Sequence, residues 1–473
     1  MMKKQGFNPY LPSWEYIPDG EPYIFDGRVY VYGSHDRFNG YAYCLNDYVC
    51  WSAPVEDLTD WRYEGVIYKK TDDPANTDGE MCLYAPDVTV GPDGRYYLYY
   101  ALDALQIVSV AVCDKPAGKY EFYGYVHYKD GTRLGEGPHD EHHFDPGVLT
   151  EKDTTYLYTG FCMRKDKSRT GPMVTVLGAD MLTVEKPPIN VAPSEPYSKG
   201  SSFEGNEYFE AASIRRVKDK YYFIYSSIHQ HELCYAVSDN PTTGFVYGGV
   251  IISNNDIHID TYKPANKPMF YGGNNHGSII EINGQWYIFY HRHTNGTNYS
   301  RQGCLEPIFF REDGSIIQAE MTSCGPNGGP LEGRGEYPAY IACNLFCETE
   351  AFFTGYPGEW MDSCFPKITQ EGKDGDELNG YIDNLKSGTT AGFKYFDCHG
   401  IHRVGVKTRG RCWGGSIEVR TSWDGESLGT ITIDKSNEWK TFFADIVIPD
   451  GINALYFTYR GKENCSLAAF ILE

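Results

Sequence analysis

The chain has 473 residues, 41% hydrophobic and 22% charged, the composition of a water-soluble globular protein long enough for two domains. Its 64 acidic against 42 basic residues leave a net charge of −22, which excludes nucleic acid and anionic membrane surfaces as partners because like charge repels. The 40 Tyr, 24 Phe and 51 Gly describe aromatic strands broken by glycine turns, an all-β signature.

The opening stretch, "MMKKQGFNPYLPSWEYIPDG", carries two lysines but no apolar run behind them, so export by a signal peptide is not expected and a cytoplasmic location is. No segment approaches membrane-spanning length. The 14 cysteines are scattered without a CxxC pair, which argues against a thiolate zinc cluster and for reduced, buried thiols.

Taken in chain order, five hairpins recur: "FDGRVYVYGSHD" (25–36), "PDGRYYLYYALD" (92–103), "EKDTTYLYTGF" (151–161), "VKDKYYFIYSS" (217–227) and "INGQWYIFYHRH" (282–293). Asp-Gly and Asn-Gly turns favour two-residue hairpins because they accept positive φ. The tyrosines at 32, 99, 158, 225 and 290 repeat at steps of 67, 59, 67 and 65 residues. Third strands follow, as in "YAYCLNDYVCWSAP" and "LCYAVSDNPTTGF", so each repeat reads as about four strands, one propeller blade. The expectation is a five-bladed β-propeller over residues 1–330.

An acid or a histidine stands before each anchor tyrosine: Asp19, Asp87, Asp145, Glu210 and His276, at offsets of 13, 12, 13, 15 and 14. The starts of the innermost strands surround one mouth of a propeller's channel, so these groups are expected to converge there. Crowded carboxylates push one another's pKa values apart, which is what acid–base hydrolysis of a glycosidic bond needs. Singly, Asp145 before Pro146 reads as a turn residue and His276 as a satisfied core histidine; the shared register is what favours a site.

The strings "PDGEPYIFDGRVYVYGSHD", "YAPDVTVGPDGRYYLYY", "FDPGVLTEKDTTYLYTG", "FEAASIRRVKDKYYFIYSS" and "NNHGSIIEINGQWYIFYHRH" resemble glycoside hydrolase family 43, in all five blades and in order. The resemblance implies a propeller that acts by inversion on arabinose- or xylose-containing glycans. Carried onto this chain, it makes Asp19 the general base, Asp145 the acid that tunes and orients its neighbour, and Glu210 the general acid. It also implies one calcium ion in the channel at His276, held directly or through water, and no organic cofactor. Two departures stand out. The first blade reads "PDGEP" where the family has Asp-Pro, which leaves Glu21 as a rival to Asp19, and Glu210 is followed by two alanines. Tyr84 and Asp87 are read as sugar contacts and Arg301 as a partner of the base or of a sugar hydroxyl, each with packing, turn or surface roles as the alternative. Glu204 and Glu207 compete with Glu210, and Arg215 and Arg216 should be split between opposite faces by strand alternation.

After the Gly/Pro-rich "SCGPNGGPLEGRGEYP" (323–338), with 331–338 expected as a linker, short strands with turn signals suggest a β-sandwich of jelly-roll type over 339–473. "GTTAGFKYFD" and "LYFTYRG" resemble carbohydrate-binding module family 6, which implies sugar stacking on Trp413, Trp423 or Trp439. The alternative is a domain that packs on the propeller and shapes its mouth. The expected function is an exo-acting, inverting α-L-arabinofuranosidase on arabinoxylan-type oligosaccharides, a neutral pentose-containing partner. β-Xylosidase activity is the nearest alternative, and a non-catalytic glycan-binding propeller is the alternative of another class.

Overall fold

A computed structural model describes residues 4–348 and 366–473. Five four-stranded antiparallel sheets, each a simple meander, form the blades. Their innermost strands are Glu21–Phe25, Asp87–Val90, Gly147–Glu151, Tyr208–Val217 and Ile279–Ile282. Each is turned directly into the strand that carries an anchor tyrosine, and all five tyrosines are buried. The aromatic-rich strands pack blade against blade, and the apolar clusters lie between sheets (Tyr32, Tyr48 and Tyr100 between blades one and two; Tyr158, Phe223 and Tyr225 between three and four).

The inner strands crowd the axis, and glycine permits it. A Cβ on Gly147 would stand 2.4 Å from the Ala212 carbonyl oxygen, and one on Gly277 would stand 1.8 Å from that of Phe289. Gly277 instead bridges to Gly20, which joins blade five to blade one beside the first acid.

The remaining chain forms two six-stranded sheets. The segment expected as a linker does not behave as one. Leu331–Glu332 pairs with Thr389–Cys398 in one sheet, and Gly335–Pro338 pairs with Cys465–Leu472 in the other. Alternating Leu331 and Tyr337 bury their side chains in the sandwich, and that burial outweighs the local Gly/Pro turn chemistry. One apolar core runs without a break from blades four and five (Ile252, Met269, Phe270) into the sandwich (Ile341, Leu345, Phe393). Backbone bonds cross the same boundary, Leu345 N–H to Met269 O at 2.8 Å and Ile368 N–H to Thr294 O at 2.9 Å. A buried ammonium does too: Lys394 Nζ lies 3.1 Å from Asp256 and 2.8 Å from Glu320.

Of the tryptophans singled out as stacking platforms, Trp413 is 68% exposed. Trp423 packs against the shared core under Lys267, and Trp439 lies edge-on to Tyr381 with Arg409 over its ring. Of the thirteen described cysteines, only Cys113 is not buried.

Candidate active site

A cavity of about 270 Å³ opens at one end of the channel, and Asp19, Asp145, Glu210, His276, Arg301 and Tyr84 all line it. Four of the five blades therefore deliver a chemically active group to one pit. The backbone bends sharply to do so. Asp19 (φ 59°), Asp145 (φ 44°) and Ala211 (φ 68°) adopt left-handed conformations, each costing about 1–3 kcal/mol, which persist where the surroundings hold them. Asp tolerates this region; the alanine after Glu210 does so because the blade-four strand bulges between Glu210 and Ser213.

Asp19 is the most heavily engaged acid. Arg301 Nη1 donates to its Oδ1 at 3.1 Å, Ser34 Oγ donates to Oδ2, and His291 Nδ1 lies 3.3 Å from Oδ1. Burial alone would raise its pKa, but the Arg301 charge, helped by His291 and His276, outweighs burial and holds the carboxyl below the ordinary range. Asp145 is the opposite case. Burial and the neighbouring Glu210 and Asp19 carboxylates raise it well above the ordinary value, against one backbone bond from Ala211 N–H at 3.1 Å. Glu210 is pushed up to about 7 by burial and by Asp19, with Arg301 and a bond to Asn274 opposing. The pit thus holds one carboxylate that ionises easily and a pair, Asp145 and Glu210, that retains a proton.

Asp87 is a correction. It does not line the pit. Its carboxylate is taken up by Val88 N–H, Val148 N–H and the Tyr23 hydroxyl, each at 2.7 Å. The register pairs Asp87 with Tyr99 and Glu21 with Tyr32, which puts both a rung deeper than Asp19. The blade-two hairpin spends residues 91–95 on its turn where blade one spends only 26–27, so an equal count back from the tyrosine lands at a different depth. Glu21, the rival for the base, belongs to this lower layer as well. Arg215 Nη2 lies 2.5 Å from Glu21 Oε2, and burial with the Asp87 charge pushes Glu21 up to about 8 despite that partner. Arg215 turns into the channel and Arg216 outward to Glu151, as strand alternation requires. Glu207 accepts from Ser198 Oγ and Gly205 N–H, and Glu204 is exposed.

His276 stands between the layers. Its Nδ1 is 3.8 Å from Asp145 and 4.0 Å from Asp19, its Nε2 is 3.8 Å from Glu21 Oε1, and burial pushes its pKa down to about 4. Calcium takes about six to eight oxygen ligands. Among the described residues no group of three or more His, Cys, Asp or Glu side chains is arranged to hold a metal ion. The surroundings of His276 offer a neutral imidazole and one buried carboxylate oxygen lacking a hydrogen-bond partner, Glu21 Oε1. Those atoms alone fall short of the direct oxygen ligands that calcium takes, and no step is assigned to a metal.

Sequence reasoning missed the aromatic wall. Phe144, Phe161 and Phe209 line the pit with Tyr84, and Phe144 meets Tyr84 and Phe161 edge to face at 5.3 and 5.4 Å. Two of them directly precede an acid in the chain, Phe144 before Asp145 and Phe209 before Glu210, a signal that was legible. Tyr43, Cys44 and Asn298 come from loops, whose paths carry no such signal. Asp36 was quoted in a hairpin but given no role; it holds the far side of Arg301, with Nε at 2.9 Å and Nη2 at 3.0 Å.

Comparison with known proteins places the chain in a family. Residues 18–316 match the model of glycosyl hydrolases family 43. A xylosidase/arabinosidase from Thermoclostridium stercorarium is 70% identical over 471 residues, covering 100% of this chain and 99% of its own. The crystal structure of a family 43 β-xylosidase/α-arabinofuranosidase from a compost microbial metagenome, bound to xylotriose, is 26% identical with a TM-score of 0.51, over 65% of this chain and 96% of its own. A family 43 arabinoxylan arabinofuranohydrolase from Bacillus subtilis, in complex with cellotetraose, covers 98% of this chain and 97% of its own with a TM-score of 0.52; at 19% identity that likeness is one of fold, across propeller and sandwich together. Convergent acids of divided proton affinity at the mouth of a five-bladed propeller thus have a family to match: the chain is a glycoside hydrolase and belongs to glycosyl hydrolase family 43.

Proposed function

We propose that the protein is an exo-acting, inverting glycosidase that releases terminal α-L-arabinofuranosyl groups from arabinoxylan-type oligosaccharides. In this reading Asp19, kept ionised by Arg301, takes a proton from the attacking water. Glu210, protonated near neutral pH, gives its proton to the leaving oxygen. Asp145 shares the acid's proton and its charge field, and so sets how tightly Glu210 holds it. The carrying observation is the division of proton affinity between Asp19 and Glu210 within one pit.

Inversion needs room for a water between base and sugar. Asp19 and Glu210 stand on blades one and four, which are not neighbours in the ring, and this supports a wide separation. Exo action is supported by size. The pit is smaller than the roughly 300–1,000 Å³ of pockets that take drug-sized ligands, and its aromatic wall suits the apolar face of one neutral sugar ring. β-Xylosidase activity is a second reading, favoured by the paired name of the 70% identical relative; arabinofuranose and xylopyranose have the same hydroxyl number and similar bulk.

The test is turnover of aryl α-L-arabinofuranosides and aryl β-xylosides, with the product anomer followed by proton NMR. Initial release of the inverted anomer, faster from the arabinofuranoside, is the expected result. Retention of configuration would remove the assigned roles, and faster xyloside turnover would reverse the substrate order. Binding without turnover would point back to a glycan-binding propeller.

A further inference from the structure

We propose that Asp374, in the sandwich, is a positioning residue for the glycosidase site of the propeller: it does not line the pit but is in direct contact with the loop that builds its wall. The inference rests on the reading of the pit as a glycosidase site.

The loop in question, residues 33–47, joins the second and third strands of blade one. It supplies Ser34 to Asp19 and Asp36 to Arg301, and it places Tyr43 and Cys44 in the lining of the pit. Tyr43 lies over the Arg301 guanidinium at 4.8 Å and meets Tyr299 edge to face. Fifteen residues without a strand of their own need bracing from outside.

Asp374 supplies a brace at both sides of the loop's tip. Its Oδ1 accepts from Phe38 N–H at 2.7 Å and its Oδ2 accepts from Asn46 Nδ2 at 3.0 Å. Inside that clamp Cys44 N–H donates to Asp36 at 3.0 Å, and Asn46 Nδ2 also reaches the Asp36 carbonyl at 3.1 Å. One carboxylate of the second domain therefore pins the two ends of the segment that carries Tyr43, and the same segment fixes Asp36 against Arg301. Gln370 adds a contact with the hydroxyl of Tyr16 at 3.3 Å, and Tyr16 stacks on Phe38. A charged acceptor makes the stronger class of hydrogen bond, and Asp374 accepts two, so its loss frees the tip rather than merely loosening one contact.

The test uses the full chain and steady-state kinetics on an aryl glycoside that the parent turns over. Asp374→Ala is expected to raise KM about fivefold, the scale of the net worth of one ordinary hydrogen bond. Ser13→Ala removes another bond between the domains, from Gly380 N–H to Ser13 Oγ at 2.8 Å, away from this loop. It is expected to lower Tm with KM unchanged, because fewer folded molecules change the apparent kcat and not KM. Asn46→Ala asks the same question from the propeller side and serves if Asp374→Ala does not fold. A comparable rise in KM, with no further rise in the double variant, would show that both act through one contact. An unchanged KM in either folded variant, or effects that multiply, overturns the proposal. Parent turnover in the same assay reports separately on the glycosidase reading.

Discussion

Arg301 holds two carboxylates at once, Asp19 through Nη1 at 3.1 Å and Asp36 through Nε at 2.9 Å and Nη2 at 3.0 Å. All three residues are buried. Asp36 is the structural partner, which fixes the guanidinium plane in a forked geometry; Asp19 receives the remaining donor and, with it, a lowered proton affinity.

Removing that guanidinium should therefore cost both stability and chemistry. We predict that Arg301→Ala destabilises the folded chain by about 3–5 kcal/mol, because it leaves buried charges uncompensated. The sign for Asp19 is clear: burial raises its pKa and Arg301 is the main opposing charge, so the acidic limb of the kcat/KM–pH profile should move upward. Chemical unfolding and a pH–rate profile check the two halves. An unmoved acidic limb would mean that Asp19 is not the group titrating there.

In the proposed mechanism the alkaline limb belongs to Glu210. A general acid must hold its proton, and Glu210 releases it near about 7, so activity is expected to fall as pH rises through that value. Asp19 stays ionised below the ordinary carboxylate range of about 4, so the plateau should lie between the two. A profile still rising at pH 9 would contradict the acid role.

Glu210→Ala is predicted to lower kcat on substrates with poor leaving groups by about 10²–10⁴-fold, the usual worth of general acid catalysis. Activated aryl glycosides, whose leaving groups need less protonation, should lose far less. Equal losses on both substrate kinds would count against the assignment.

The same carboxyl should be a burden to the fold. Its pKa rises from an ordinary 4.5 to about 7 on folding, so the contribution to stability is intact below 4.5 and is lost as pH climbs to 7. Glu210→Gln removes that ionisation. We predict a Tm higher than the parent's by roughly 2–4 °C at pH 8 and little different at pH 4, read by calorimetry.

Asp87 supplies the contrasting case. Its oxygens accept from Val88 N–H, Val148 N–H and Tyr23, and none faces the pit. In Asp87→Asn one oxygen becomes an amide donor set against a donor, so Tm should drop while KM stays within about twofold of the parent's. A large rise in KM with unchanged Tm would restore Asp87 to the sugar site.

Much of this was legible in the chain because local patterns repeat. Turn dipeptides followed by Tyr32, Tyr158 or Tyr290 identify hairpins from composition and period alone, and five such units fix an all-β, five-bladed ring. An acid before Pro146, or one opening "EAASIRR", is visible because it breaks an apolar strand pattern. Distance along the chain then stands in for position along the axis, and it brought Asp19, Asp145, Glu210 and His276 to one pit.

Depth and loop path were decided only by the folded chain. The offset of Asp87 differs from that of Asp19 by a single residue, but a longer turn sinks it below the floor, because register depends on hairpin length and not on residue count. Residues 331–338 look like a linker until Leu331 and Tyr337 find apolar neighbours far away in the chain. Asp36 and Asp374 are ordinary surface acids in the sequence, since each acquires its role from a partner hundreds of residues away, Arg301 for the first and Phe38 for the second. Periodic burial is written locally and can be read locally; proton affinity and loop position arise from charges and contacts that only closure of the ring and docking of the sandwich bring together.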